Sequence, residues 1–500
     1  MTEKILFWMD SNLLYFGIAK FLQEKYNAEY YAINDHSEQL AKFFKKQQIV
    51  KFKKTWSYRE NVFLKNKKPD IEYLTKFEKT YQIDLWKLAY SERVFYKYNN
   101  YHHYSAEEIL EIFESECKFF ESVLDEIKPD FLIIKMVDYH HGELLSQICK
   151  KRGIKILTMS PTRFGDQYMI TEEAGLLDSN YSTVFDESKS KSFEELREHI
   201  QEYSSQSKQH AKKFKSSKKT QFYASLIFFI KVCNNNYRKH VLHTGRTRFG
   251  VLKNELSLLF QRSSRKKFLN KIAIKEIPND EKFIYFTLHS EPERALLFPA
   301  PFYMNQLNTI QNIARSIPAN YILYVKEHQS QGIFGWREPS WYNDLIRLPN
   351  VRLIHPNVSG ELLLKKCALA MSIGGTVGLE AAFFNKPSIV FADVIYSILN
   401  SVTKIENPTE LPEKIKLSLN TKVNIQELNK YVQTIENLSF KVELKRMKND
   451  MKHKFYHDDF LREVEISEKE MNYFIQENKE EFELIANEHM KKINQKNTQI

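Results

Sequence analysis

The chain opens on an apolar run, Ile5 to Met9, that gives way at Asp10-Ser11-Asn12 to an amphipathic stretch from Leu13 to Tyr26, then to a second apolar run, Tyr30 to Ile33. Short apolar runs bounded by polar residues predict strands, and apolar positions recurring every three and four residues predict helices. The opening therefore reads as strand, loop, helix, strand. From Ser105 to Ile127 the residues Ile109, Ile112, Phe113, Cys117, Phe120, Val123, Leu124 and Ile127 keep helical spacing. Ser105 followed by Glu108 is the signature of a capping box. Lys128-Pro129-Asp130 ends that helix. A strand over 131–134, a helix over 143–152 closed by Gly153, and a strand over 154–157 follow.

The segment 185–220 is charged and Ser-rich. Regular patterning resumes with a strand at 283–286, a helix at 304–315 and strands at 321–325 and 351–354. A helix at 359–366, a strand at 368–373, a helix at 377–384 and a strand at 388–391 complete the set. Beyond Pro412 the chain is polar and helical, with fraying expected after Glu488. Helices alternating with short strands predict βαβ units and parallel sheets. The expected fold class is α/β, two Rossmann-like domains facing across a cleft, with a basic helical insertion and a C-terminal helical tail. The expected boundaries are 1–200 for the N-terminal Rossmann-like domain, 201–275 for the basic helical insertion, 276–420 for the C-terminal Rossmann-like domain and 421–500 for the C-terminal helices. In such sheets ligands lie at the carboxyl ends of strands, so the loops after strands are where chemistry belongs.

Composition narrows the classes. A chain of 500 residues exceeds one core, and 42% hydrophobic residues with 14% aromatics argue against disorder or a collagen-like repeat. Cys117, Cys149, Cys233 and Cys367 lie far apart without C-x-x-C or zinc spacing, which reads as reduced thiols. No signal peptide and no apolar run long enough to span a bilayer is seen, so a cytoplasmic protein, soluble or peripheral at the inner face of the membrane, is expected. The net charge of +11 is unevenly placed. From Ser207 to Lys271 there are 12 Lys and 5 Arg against Glu255 alone, a net +16 that leaves the rest at −5. This segment holds the aromatic stretch Phe222 to Ile230, a pattern suited to an interfacial helix on an anionic membrane. A solvated helical insertion and nucleic-acid binding are the competing readings, the latter without any accompanying motif.

The densest chemistry lies at Ser372-Ile373-Gly374-Gly375-Thr376-Val377-Gly378-Leu379-Glu380, which follows a strand and opens a helix. Glycines there admit an anion to the backbone, and the helix start offers N–H donors. Thr376 suits a cap that also donates to phosphate, and Glu380 a contact to a ribose hydroxyl. Alternatively, the glycines serve packing alone. Lys326 and His328 alternate at a strand end and can share one face beside a phosphate. Glu291 and Glu293 follow the first strand of this half, where a carboxylate can deprotonate an acceptor hydroxyl, and His289 is nearby. In the N-terminal half, Asp138-Tyr139-His140-His141 follows a strand and suits acceptor contact; with no third ligand at a telling spacing, no metal site is expected there. Arg163 suits an anionic acceptor, and Ser11-Asn12 with Gly17 a cleft loop. His102-His103, between tyrosines, reads as surface.

From Tyr285 to Tyr396 the chain resembles the C-terminal half of the capsule-polysaccharide-biosynthesis family, GT-B glycosyltransferases that include bacterial β-Kdo transferases. Four pieces carry the likeness: FTLHSEPER (286–294), YVKEHQ (324–329), PNVRLIHP (349–356) and SIGGTVGLEAAFFNKPSIVFAD (372–393). KPDFLII and RGIKILTMSPTRFGD are weakly similar to its N-terminal half. The resemblance implies that Lys326 and His328 hold a donor phosphate and that Glu291 or Glu293 lies near the reaction centre. Gln329 stands where that family usually has proline. The expected function is transfer of a sugar from a nucleotide-sugar donor, with no other cofactor, to a lipid-linked or polysaccharide acceptor. A sugar-nucleotide epimerase of the same shape and a non-catalytic nucleotide-sugar-binding protein are the alternatives.

Overall fold

In β1 (Lys4–Met9) all residues after Lys4 are buried, the continuous apolar run that a strand covered on both faces requires. The computed structural model describes residues 2–495 except 180, 202–222, 224–228, 230–239, 279, 460 and 463. β1 lies between β2 (Glu29–Asn34) and β4 (Phe131–Ile133) and runs parallel to both. β3 (Lys54–Ser57) pairs beyond β2, and β5 (Lys155–Pro161) beyond β4, also in parallel. β6 (Gln167–Thr171) and β13 (Phe440–Lys441) extend that edge by antiparallel pairing, giving the order β13-β6-β5-β4-β1-β2-β3.

The period of two sorts β1 between two cores. Ile5, Phe7 and Met9 face one, with Leu14, Phe16 and Phe21; Leu6 and Trp8 face the other, with Ile112, Phe113, Phe120 and Leu124. The helix Ala106–Ile127 covering the second core carries the expected capping box. Glu108 N–H donates to Ser105 Oγ at 3.1 Å, and Ser105 N–H to Glu108 Oε2 at 2.8 Å.

The chain's end, expected as separate helices, belongs to this same unit, which comprises 1–179, 203–250 and 439–500. On the helix Lys479–Gln495, Phe482, Ile485, Ala486 and Ile493 are fully buried in the first core. The contact needs Gly17, because a Cβ there would sit 2.5 Å from the Phe482 ring. Gly17 is therefore explained by helix packing.

This unit also buries neutral imidazoles. Desolvation holds His36 and His489 down at about 4, with weaker opposing help from Asp35 and Asp10 for the first and the Ile485 carbonyl for the second. Between about pH 6.5 and 4 the unfolded chain takes up protons that these folded imidazoles refuse, so stability falls as pH falls. Urea unfolding at pH 7 and pH 4.5 is expected to differ by a few kcal/mol, on the order of 3 kcal/mol per histidine at most. His489→Leu should flatten that slope; an unchanged pH dependence in the variant would remove His489 from the account.

The second unit comprises 180–202 and 251–438. Its six strands are all parallel: β7 (Phe283–Thr287), β8 (Ile322–Lys326), β9 (Val351–Ile354), β10 (Leu369–Ser372), β11 (Ser388–Val390) and β12 (Val402–Lys404), in the order β12-β11-β10-β7-β8-β9. The fold class is thus the expected one, two Rossmann-like α/β units with C-terminal helices. Of the basic segment, the helix Arg248–Ile272 is seen, whereas Lys212 to Lys219 and nearly all of Phe222 to Ile230 lie outside the described residues. Among the described residues no helix is long and apolar enough to cross a membrane.

Candidate functional site

In the second sheet the strand order reverses beside β7: the chain proceeds to β8 and β9 on one side and to β10, β11 and β12 on the other. The loops after β7 and β10 diverge at such a point and leave a crevice at the carboxyl ends. His289, two residues past β7, reaches the glycine turn after β10, where Gly374 N–H donates to His289 Nε2 at 3.1 Å. Gly375 N–H donates to Ser372 Oγ at 2.9 Å, and the Tyr396 hydroxyl donates to the Gly375 carbonyl. The two glycine N–H groups expected to face an anion are therefore bonded to the protein's own side chains. The donors that remain are those any helix leaves in its first turn, here from Thr376 onward. Gly378 has a separate reason: a Cβ there would sit 2.8 Å from the hydroxyl of buried Tyr396.

Lys326 ends β8 and is half-buried. Burial pushes its ammonium below the usual lysine range, with Glu380 opposing. It makes no ion pair within 4 Å among the described residues. A methyl group added at Gly360 would sit 3.7 Å from Lys326 Nζ and 3.9 Å from Tyr285 Oη, which places the ammonium over the start of the helix Gly360–Lys366. Glu380 also raises Tyr285, after burial, and accepts from the Thr376 hydroxyl at 2.7 Å. Lys326, Glu380, Thr376 and Tyr285 are thus brought together around the crevice.

Glu291 is engaged. Its Oε1 accepts from Arg337 Nη1 at 2.6 Å and from Gln306 Nε2 at 2.9 Å, the guanidinium buried and the carboxylate nearly so. Arg337 also donates to Glu327 Oε2 at 2.9 Å and to the His289 carbonyl at 2.7 Å. Glu293 stands at the start of the short helix Arg294–Leu297 and is half-buried. His328 begins the turn Gln329–Phe334, its Nδ1 accepting from Ser330 N–H at 3.2 Å. Gln329, in place of the family's proline, donates to the Pro356 carbonyl at 3.2 Å. Arg337 and Gln306 carried no motif, and only the fold reveals them.

The first sheet has its own reversal, at β1 between β2 and β4, and a pocket of about 130 Å³ opens there. Its lining includes Asp10 and Ser11 after β1, Asp35 after β2, Lys135 and Asp138 after β4, and His141. Lys135 Nζ lies 2.7 Å from Asp10 Oδ2 and 3.2 Å from Asp138 Oδ2. Burial works against the charge on Asp35, yet Arg59, His240 and His141 hold its carboxyl well below the usual range. His140, expected beside Asp138 in an acceptor loop, is instead fully buried. Its Nδ1 lies 2.8 Å from Glu92 Oε2 and its Nε2 2.9 Å from Glu116 Oε1. Arg163 adopts a left-handed backbone, φ 76°, and His102 Nε2 lies 3.1 Å from Glu108 Oε1. Glu116 had a readable signal, since it falls on the apolar stripe of its helix, four residues after Ile112 and four before Phe120.

No family model and no curated protein sequence matches the chain. Solved structures are similar over most of its length. The UDP-GlcNAc 2-epimerase of Methanocaldococcus jannaschii is 14% identical over 87% of this chain and 99% of its own, at a TM-score of 0.24. That of Neisseria meningitidis, bound to UDP-GlcNAc, is 13% identical over 87% and 99%, at 0.26. A β-Kdo 2,7 transferase, KpsC of Thermosulfurimonas dismutans, is 12% identical over 70% and 87%, at 0.30.

Proposed function

We propose that the chain is a glycosyltransferase that moves a sugar from a nucleotide donor to a growing surface polysaccharide or glycolipid. The observation that supports it most is Lys326: a half-buried cation at a strand end next to the sheet's reversal, without an ion-pair partner among the described residues. Such a charge is costly to bury and is stabilised when an anion binds. In this reading Lys326, His328 and the first turn after Thr376 hold the donor phosphates, and Ser372, Gly374 and Gly375 shape the turn. Glu380 takes the ribose, and Glu293 removes the acceptor proton. Glu291 positions the β7 loop through Arg337. The leaving phosphate is neutralised by Lys326 and the helix start without a metal ion. The acceptor is assigned to the pocket of the first unit, with Asp138 at its rim.

Calorimetry with a panel of nucleotide sugars tests the donor site. Lys326→Ala is expected to weaken the tightest donor by roughly 10- to 100-fold, the worth of a charge-assisted hydrogen bond. Gly375→Val should abolish binding with little change in melting temperature, since the added Cβ comes no nearer than 3.3 Å to Ser372 Oγ and 3.6 Å to Ser372 Cβ and His289 Cε1. Unchanged affinity in both variants would sink the donor assignment. Interconversion of the donor without an acceptor would point to an epimerase, and tight binding with no turnover to a non-catalytic protein.

The basic segment is assigned to an anionic membrane face, each charge contributing about 1 kcal/mol near such a surface. The wild type should sediment with anionic vesicles, and replacement of Lys212, Lys213, Lys215, Lys218 and Lys219 by Gln should release it. A wild type that stays in the supernatant ends this assignment.

A further inference from the structure

We propose that Glu116, His140 and His141 form a binding site for one divalent metal ion of the zinc class, inside the first unit. One donor atom from each lies within 4.8 Å of the other two, and all three residues are buried. Two imidazoles and one carboxylate are the donor set of three-ligand zinc sites, which keep a fourth position for water or a substrate hydroxyl.

Two of the donor groups are left unsatisfied by the protein itself. Among the described residues, Glu116 Oε2 and His141 Nδ1 find no hydrogen-bond partner, although Glu116 is 0% and His141 3% exposed. Buried polar atoms in that condition cost stability unless something binds them, and a cation is a partner that a carboxylate oxygen and an imidazole nitrogen both accept. The surroundings then act as the outer shell of a metal site. Glu92 Oε2 accepts from the His140 backbone N–H at 2.8 Å and lies 2.8 Å from His140 Nδ1. His140 Nε2 lies 2.9 Å from Glu116 Oε1, so a bound cation would take the place of the hydrogen that bridges them. Tyr58 donates its hydroxyl to the same Glu116 oxygen. The His141 ring stacks against Trp8 at 5.3 Å between centroids, and its Nε2 lies 3.8 Å from Asp35 Oδ2. Both rings are thus locked in place.

Access comes through His141, which borders the pocket of about 130 Å³ together with Asp10, Lys135 and Asp138. The ligand spacing explains why no sequence motif announced the site: two ligands are adjacent at the start of the helix His140–Lys151, and the third lies 24 residues earlier on another helix. The site stands independently of the sugar-transfer reading, which assigns no metal to the donor phosphates.

The full chain, stripped with a chelator and dialysed, would be titrated with Co²⁺ and then Zn²⁺, with elemental analysis and visible absorption as readouts. One Co²⁺ per chain is expected, with ligand-field bands of nitrogen and oxygen coordination and no thiolate charge-transfer band, displaced by one Zn²⁺. Glu116→Gln and His141→Gln should each weaken Co²⁺ binding at least 10-fold. Cys117→Ser with Cys149→Ser, which removes the two buried thiols among the unit's described residues, should leave binding unchanged. Where a ligand variant fails to fold, the wild-type spectrum decides, because sulfur ligation would exclude the proposed set. A wild type that binds no stoichiometric Co²⁺ or Zn²⁺, or a folded Glu116→Gln/His141→Gln double variant that still binds, overturns the proposal.

Discussion

Replacing Arg337 by methionine is expected to destabilise the second unit by about 3–5 kcal/mol, the usual cost of removing one partner from a buried ion pair. The guanidinium spends three donors on three separate acceptors: Glu327 Oε2, Glu291 Oε1 and the His289 carbonyl. Its side chain is only 4% exposed, and that of Glu327 is fully buried. Methionine fills much of the volume but leaves the Glu291 and Glu327 carboxylates without the cation they share. Among the described residues Glu327 then keeps the Tyr342 hydroxyl and the His328 N–H. Arg337→Lys should recover a fraction of the loss, since an ammonium cannot match three acceptors at fixed angles. Urea denaturation reads the effect, and a change below about 1 kcal/mol would show that the network relaxes around the gap. Donor affinity should fall as well, because the carbonyl that Arg337 holds belongs to His289, the residue whose ring fixes the Gly374 N–H.

The second large effect separates the two carboxylates of the β7 loop. Glu293→Gln is expected to lower turnover by roughly 100-fold or more with donor affinity nearly unchanged, as for a general base. Glu291→Gln is expected to lower stability first, because it removes the charge opposite Arg337 Nη1 and leaves a buried guanidinium with one carboxylate. Measuring turnover, donor affinity and urea stability for both variants distinguishes these roles. His328→Ala belongs in the same series, with a loss in donor affinity expected alongside rate. Full turnover in both Glu variants moves the base elsewhere, and Asp138 in the first unit becomes the next candidate.

These two carboxylates also mark where sequence reasoning ran short. Glu291 and Glu293 are separated by one proline, follow the same strand and carry the same chemistry, so local pattern treats them alike. Their difference comes from Arg337, 46 residues from Glu291, which the loop after β8 delivers to one and not the other. The glycine turn shows the same division. Its position after a strand and before a helix was legible, because strand and helix periods switch there. That His289 would take the Gly374 N–H was not, because it follows from β7 and β10 being neighbours in the sheet.

The sequence by itself determined the elements whose periodicity is local: β1, the capped helix Ala106–Ile127, and the alternation from β7 to β11, from which two parallel α/β units follow. The tertiary structure alone decided three things. It sent the end of the chain back to the first unit, through the two-residue pairing of β13 with β6 and the seat of Phe482 over Gly17. It set Arg337 between Glu291 and Glu327, and it brought Glu116 to the adjacent pair His140-His141. The physical reason is common to all three. A hydrogen-bonding period is written into neighbouring residues, whereas which distant side chains meet depends on sheet order and packing, and no local pattern encodes those.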